Sequence, residues 1–235
     1  MARRGIGLVV TLLIVAAALV ALDRVAVRVV EARIGQSMQQ QEKLPTRPKV
    51  TIEGFPFLTQ VLHRHFDDVR LSADELKAGA DRSLPVSAVR ADLHDVRTSD
   101  SFHRITIGTA GGSGVIGYHA LSQRLGTTVS WGGTGTSGRD RVKASRSITV
   151  LGQTVTATVT AQILLRGPRT VGFGDVKVAG GLGIPQVAIS SLESLFSSSL
   201  TISELPAGLG LRAIDPGPDG IAVTLSGRNL VVNGS

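Results

Sequence analysis

The rhythm of apolar and polar positions changes twice along the chain. Residues 5–22 form an uncharged, mostly apolar run, preceded by Arg3 and Arg4 and ended by Asp23 and Arg24. A helix of about 18 residues reaches about 27 Å, close to the ~30 Å hydrocarbon core of a bilayer. The run predicts a signal anchor. A cleaved signal peptide is the alternative, with Ala16-Ala17-Ala18 as the small-residue cleavage site. Apolar sequence continues past those alanines to Leu22, which favours the anchor. Arg3 and Arg4 set the N-terminus in the cytoplasm and place the remainder outside, and they lack the rest of a twin-arginine signal. Next, Val25, Val29, Ala32 and Ile34 recur near helical spacing among charged residues. They predict a helical stalk over residues 23–44, or an amphipathic element lying on the membrane. Gln39-Gln40-Gln41 and Pro45/Pro48 close it, so a body is expected over residues 45–235.

From Lys49 the period becomes two. Thr154, Thr156, Thr158 and Thr160 alternate with Val155, Ala157, Val159 and Ala161, which predicts a strand with one wet and one buried face. Shorter alternations at residues 65–71, 89–96, 104–107, 127–131, 141–150, 170–178 and 220–225 predict further strands. Gly152, Gly167-Pro168, Gly180-Gly181 and Pro218-Asp219-Gly220 mark the turns of a largely antiparallel sheet. Helical spacing returns at Tyr118–Leu125 and, more strongly, over residues 185–200, with Ile184, Ala188, Leu192, Leu195 and Phe196 on one face. The fold class is therefore α+β, a curved sheet packed around one or two helices.

Composition narrows the chemistry. The 235 residues contain no cysteine, which removes disulfides, thiolate metal sites, a Cys nucleophile and lipobox acylation together. Aromatic residues are only 3%, too few to build stacked recognition of single-stranded nucleic acid. The net charge of +7 is unevenly placed. Residues 1–49 hold 8 Lys/Arg against 3 Asp/Glu, residues 101–170 hold 8 against 1, and the segments between and after are net negative. The central segment thus predicts an anion-attracting surface, with no nucleic-acid partner.

Catalytic patterns are weak. Gly112-Ser113-Gly114-Val115-Ile116-Gly117 matches the dinucleotide fingerprint, but so does Gly133-Thr134-Gly135-Thr136-Ser137-Gly138, in a chain with 28 glycines and no βαβ series. His63 and His65 would share a strand face without a third ligand at recognised spacing, no G-x-S-x-G elbow exists, and Asp67-Asp68 and Asp74-Glu75 suit turns. No enzyme, cofactor or metal is expected. Two features remain. Gly54-Phe55-Pro56-Phe57-Leu58-Thr59-Gln60 gathers two of six phenylalanines around a rigid turn, either as a core plug or as groove lining. Arg139, Arg141 and Lys143 share one strand face with Arg146 beyond, either as a charged edge strand or as a phosphate-binding surface.

With these residues the chain resembles the LmeA family of actinobacterial cell-envelope proteins, from about residue 23 to 232. The resemblance rests on Gly54-Phe55-Pro56-Phe57-Leu58-Thr59-Gln60, supported by Asp23-Arg24-Val25-Ala26, Leu205-Pro206-Ala207-Gly208-Leu209 with Leu211, and Asp219-Gly220-Ile221-Ala222-Val223. It implies an extracytoplasmic phospholipid-binding protein with a lipid-transfer type fold, associated with acidic phospholipids such as phosphatidylinositol and with mannosylated envelope glycolipids. An envelope mannosyltransferase is the protein partner it suggests, and it implies no catalytic residues. A membrane-anchored scaffold that binds an envelope glycosyltransferase without lipid is the alternative, and a divergent hydrolase a third. The expected acyl-chain site is Phe55, Phe57, Leu58, Leu62, Ile184, Leu192, Leu195 and Phe196. The expected head-group site is Arg139, Arg141, Lys143 and Arg146.

Overall fold

The computed structural model describes residues 2–78, 84–99, 104–135, 138–150, 153–179, 196, 199–202, 205 and 208–233, with residues 2–11, 148–150, 153–155, 200 and 233 given as backbone only. Helix α1 (Ala2–Glu42) is unbroken. After it come β1 (Lys49–Glu53), α2 (Phe57–His63), β2 (His65–Ala78), β3 (Leu84–Thr98), β4 (Arg104–Ile116) and α3 (Tyr118–Leu125). The order continues through β5 (Thr128–Thr134), β6 (Asp140–Val150), β7 (Gln153–Gly167), β8 (Thr170–Ala179), β9 (Leu200–Thr201), β10 (Leu209–Gly217) and β11 (Gly220–Asn233). A six-stranded sheet has the order β1-β2-β3-β4-β11-β10 and a five-stranded sheet the order β5-β6-β7-β8-β9. Every pairing is antiparallel, and neither sheet closes on itself. The fold is α+β, as the alternating periods predict.

Three apolar clusters hold this arrangement. The largest joins the two sheets: Val142, Ala144, Ala157, Val159 and Ala161 from the smaller sheet meet Ile221 and Phe196, with Tyr118, Leu121 and Ile214 packed against them. Ala157, Val159 and Ala161 are fully buried, whereas Thr156, Thr158 and Thr160 lie on the opposite, wetter face, so this strand follows its sequence pattern. Helix α3 is fastened between the sheets by Tyr118, whose hydroxyl donates to the Gly217 carbonyl at 2.8 Å. Burial raises the Tyr118 pKa above its ordinary value, and the Asp140 carboxylate adds to the rise. A second cluster, Val96, Ile107, Ala110 and Leu230, lies on the large sheet. The third joins Val27 of α1 to Ile52 and Phe57.

Several sequence expectations change here. The Gly112 to Gly117 fingerprint is not a strand-to-helix phosphate turn, since residues 112–116 lie within β4, where Gly112 and Ile116 pair with both β3 and β11 and Gly114 pairs with β11. A Cβ on Gly114 would stand 2.6 Å from Val86 Cγ1, so glycine serves close strand packing there. His63 and His65 do not share a strand face: His63 ends α2, Arg64 follows with φ of 52°, and His65 begins β2. The helix expected over residues 185–200 lies outside the described residues apart from Phe196, which is helical, and its far end, where Leu200 begins β9. Helix α2 and strand β10 have no counterpart among the predicted elements.

Candidate functional site

Four residues of the Gly54 to Gln60 motif have definite tasks. Gly54 turns the chain with φ of 101°, a left-handed value that disfavours a side chain, and a Cβ there would stand 2.4 Å from Gln60 Nε2. Pro56, after a cis peptide bond, supplies the extended N-cap of α2. Phe57 is 2% exposed and lies 6.4 Å from the Phe66 ring, centroid to centroid. Gln60 is buried: its Nε2 donates to the Glu53 carbonyl at 3.1 Å, and its Oε1 accepts from the Asp67 amide at 3.1 Å. One side chain thereby ties α2 to the end of β1 and the start of β2. Phe55, Leu58 and Leu62 remain exposed on the outer side.

Helix α1 completes this corner. Buried Asp23 accepts the Leu58 amide at 2.8 Å through Oδ1, capping the first turn of α2 from another element. The Arg24 guanidinium lies 5.0 Å from the centroid of the Phe55 ring. Further along, Val27 packs on Ile52 and Phe57, and Glu31 Oε1 accepts the Ile52 amide at 2.7 Å, occupying a donor of edge strand β1. Residues 23–42 thus run antiparallel to β1 as part of the body's packing. Among the described residues no helix is long and apolar enough to cross a membrane; described side chains begin at Leu12, and Leu12, Leu13, Ile14, Val15, Leu19, Val20 and Leu22 are all exposed.

The expected acyl-chain residues occupy two places. Phe55, Phe57, Leu58 and Leu62 gather at α2, while Phe196 packs edge-on against Phe173 at 4.9 Å in the core between the sheets. Ile184, Leu192 and Leu195 lie outside the described residues.

The four cations also divide. Arg141 is 5% exposed and forms an ion pair with Asp175 across the sheet. Asp175 sits with φ of 47° beside a register shift between β7 and β8, an irregularity that turns it toward Arg141. Gly135 lies over the guanidinium, where a Cβ would come 2.6 Å from Arg141 Nε. Lys143 shares the face of Arg141 with the paired hydroxyls Ser145–Thr158 and Ser147–Thr156. Arg146, by the alternation of the strand, belongs to the face of Val142 and Ala144. Arg139 and Arg146 are exposed and Lys143 half-buried.

Other polar groups are engaged in structure. His65 pairs with Asp95 at 2.7 Å and His94 with Asp68, both between β2 and β3. Among the described residues no three acidic or histidine side chains converge as a metal site. Sequence reasoning assigned no structural role to Asp23, Arg24, Glu31 and Gln60, whose partners are distant or local to an unrecognised helix. It also missed a shallow cleft of about 310 Å³ between α1 and β1, edged by Arg28, Glu31, Arg47 and Lys49. Arg70, bonded to Glu53 at 2.7 Å, lines a neighbouring cleft on the outer face of β1–β3.

The described architecture is that of an open, two-sheet antiparallel α+β protein with an N-terminal helix built into one end. The chain belongs to the LmeA-like phospholipid-binding family, whose model matches residues 21–226. That description names binding and no reaction. No curated protein and no solved structure gave a match.

Proposed function

We propose that the chain binds an acidic, phosphatidylinositol-like phospholipid on the extracytoplasmic side of a membrane, to which residues 5–22 anchor it. There it serves the making of mannosylated envelope glycolipids beside an envelope mannosyltransferase. The family match over residues 21–226 is the observation that carries the lipid. The exposed apolar side chains of residues 12–22 support the anchor. In this reading the bound acyl chains contact the segment holding Ile184, Leu192, Leu195 and Phe196. The head group meets Arg139 and Lys143, while Arg141 holds the strand beneath them; Arg146, on the other face of the strand, takes no part.

Magnitudes favour this division. Each methylene removed from water contributes about 0.8 kcal/mol, so a sixteen-carbon chain represents about 12 kcal/mol. The donor bilayer already shields that chain, and the protein need only match the shielding and add a modest surplus at the phosphate. Arginine suits that role through bidentate contact and permanent charge, and it outnumbers lysine by 20 to 5 here. Native mass spectrometry of the full chain, released from detergent containing equal phosphatidylinositol and phosphatidylcholine, tests the reading. Retained phosphatidylinositol in excess supports it; an empty chain, or equal retention of both lipids, overturns it.

A further inference from the structure

The large exposed apolar side chains of the body concentrate at one corner. Within eight residues of the chain, Phe55 is 56% exposed, Leu58 48%, Val61 40% and Leu62 79%. Elsewhere among the described residues of the body such side chains occur singly, as with Leu125 at the end of α3, Trp131 and Leu165, or in pairs along a strand, as with Val176 and Val178 or Val231 and Val232. Isolated exposed leucines are ordinary, whereas a cluster on one short element marks a contact surface.

What covers this surface follows from its position. Asp23 bonds to Leu58, and Arg24 lies over Phe55. These two residues are also the first charges after the apolar run of residues 5–22, so α2 is fastened at the level where α1 passes from apolar to polar sequence. Leu22 and Val25, at the same level of α1, are exposed apolar side chains as well. Exposed Arg24 and Arg28 stand at the same level, placed for lipid phosphates. We propose that the turn at Gly54 and helix α2 form a foot that inserts into the bilayer interface beside the anchor, with Phe55, Leu58, Val61 and Leu62 reaching the head-group and acyl boundary. The occupant of the surface is the membrane itself. The inference rests on the anchored reading, and the experiment separates the two.

The rigid fastening gives the foot a fixed depth. Buried Phe57 and Gln60 hold the inner side of α2, so the outer side meets the interface without refolding. Interfacial helices of this kind sit about 5–10 Å into the head-group and acyl boundary. Because the chain has no cysteine, Leu62→Cys and Val20→Cys each create a single attachment point for a nitroxide in the full chain. In phosphatidylglycerol vesicles, relaxation of each label by oxygen, which concentrates in lipid, is compared with relaxation by a water-soluble nickel chelate. The Leu62 label is expected to favour oxygen several-fold, at a shallower depth than the Val20 label. A Leu62 label open to nickel overturns the foot, and so does one shielded from both reagents, which assigns the surface to a protein. Val20 reports on the anchor separately: if it alone is open to nickel, the anchor fails and the foot stands.

Discussion

Replacing Gln60 by alanine removes both the donor to Glu53 and the acceptor for the Asp67 amide, in a site closed to compensating water. Each net hydrogen bond is worth about 1 kcal/mol and each stranded buried group costs more, so Gln60→Ala should lower stability by about 2–3 kcal/mol. Urea unfolding of the full chain in detergent, followed by the single tryptophan, measures it; a loss under about 0.5 kcal/mol would contradict the clamp. A second comparison concerns the pair in the smaller sheet. Asp175 is 39% exposed at its side chain and Arg141 only 6%, so the two deletions are not equivalent. Without Arg141 the carboxylate can hydrate, whereas without Asp175 a guanidinium stays buried and uncompensated. Asp175→Asn, which tolerates the same backbone, should therefore cost about 2–4 kcal/mol, more than Arg141→Met at about 1–2 kcal/mol. The reverse order in the same urea measurement would remove Arg141 from the structural framework.

At the level of elements, α1 is a packing partner of β1 and α2, and the boundary expected near residue 45 divides a shared core. A chain beginning at residue 45 loses Val27 from the Ile52–Phe57 cluster, the Asp23 cap and the Glu31 contact to β1. It should be at least about 3 kcal/mol less stable than one beginning at residue 21, from one buried aliphatic side chain and two hydrogen bonds. Equal melting temperatures for the two truncations would refute this. The same elements show where the sequence was readable. Unbroken alternation exposed β7, because Thr marks one face and Val and Ala the other residue by residue. Strand β4 reads only to Ile107, because Gly108, Gly111, Gly112 and Gly114 then blank both faces. Helix α2 has seven residues, fewer than two full periods, and its defining partner Asp23 lies 35 residues away. Strand β10 is hidden by Gly210, Pro216 and a register shift after Leu211.

On the whole-molecule scale, charge counted along the chain is a poor guide to charge in space. The basic segment of residues 101–170 is spread over both sheets and α3, and Arg141 is neutralised by Asp175 from beyond that segment. No spacing rule links positions 141 and 175, since their contact depends on the bulge that turns Asp175. The proposed head-group cations are accordingly Arg139 and Lys143, since Arg146 lies on the opposite face of β6. Neutral substitution of these two in the full chain should abolish preferential transfer of phosphatidylinositol over phosphatidylcholine between vesicles and leave the residual salt dependence small. In the unsubstituted chain that preference should weaken as salt rises, because screening at physiological ionic strength acts over about 8 Å. An unchanged preference in the double variant would move the phosphate contact to the cleft of Arg28, Arg47 and Lys49.

The continuity of α1 from residue 2 to residue 42 carries a mechanical consequence. If its first half stands in the bilayer, its second half is a strut of about 30 Å whose grip on β1 passes any tilt directly to the large sheet. A change in tilt of about 10° would sweep the far end of the strut through about 5 Å, and spanning helices tilt further as bilayers thin relative to their apolar length. Membrane thickness thereby becomes a coordinate that the β-structure experiences, and the height and attitude of the sheets above the lipid would differ between thick and thin regions of one membrane.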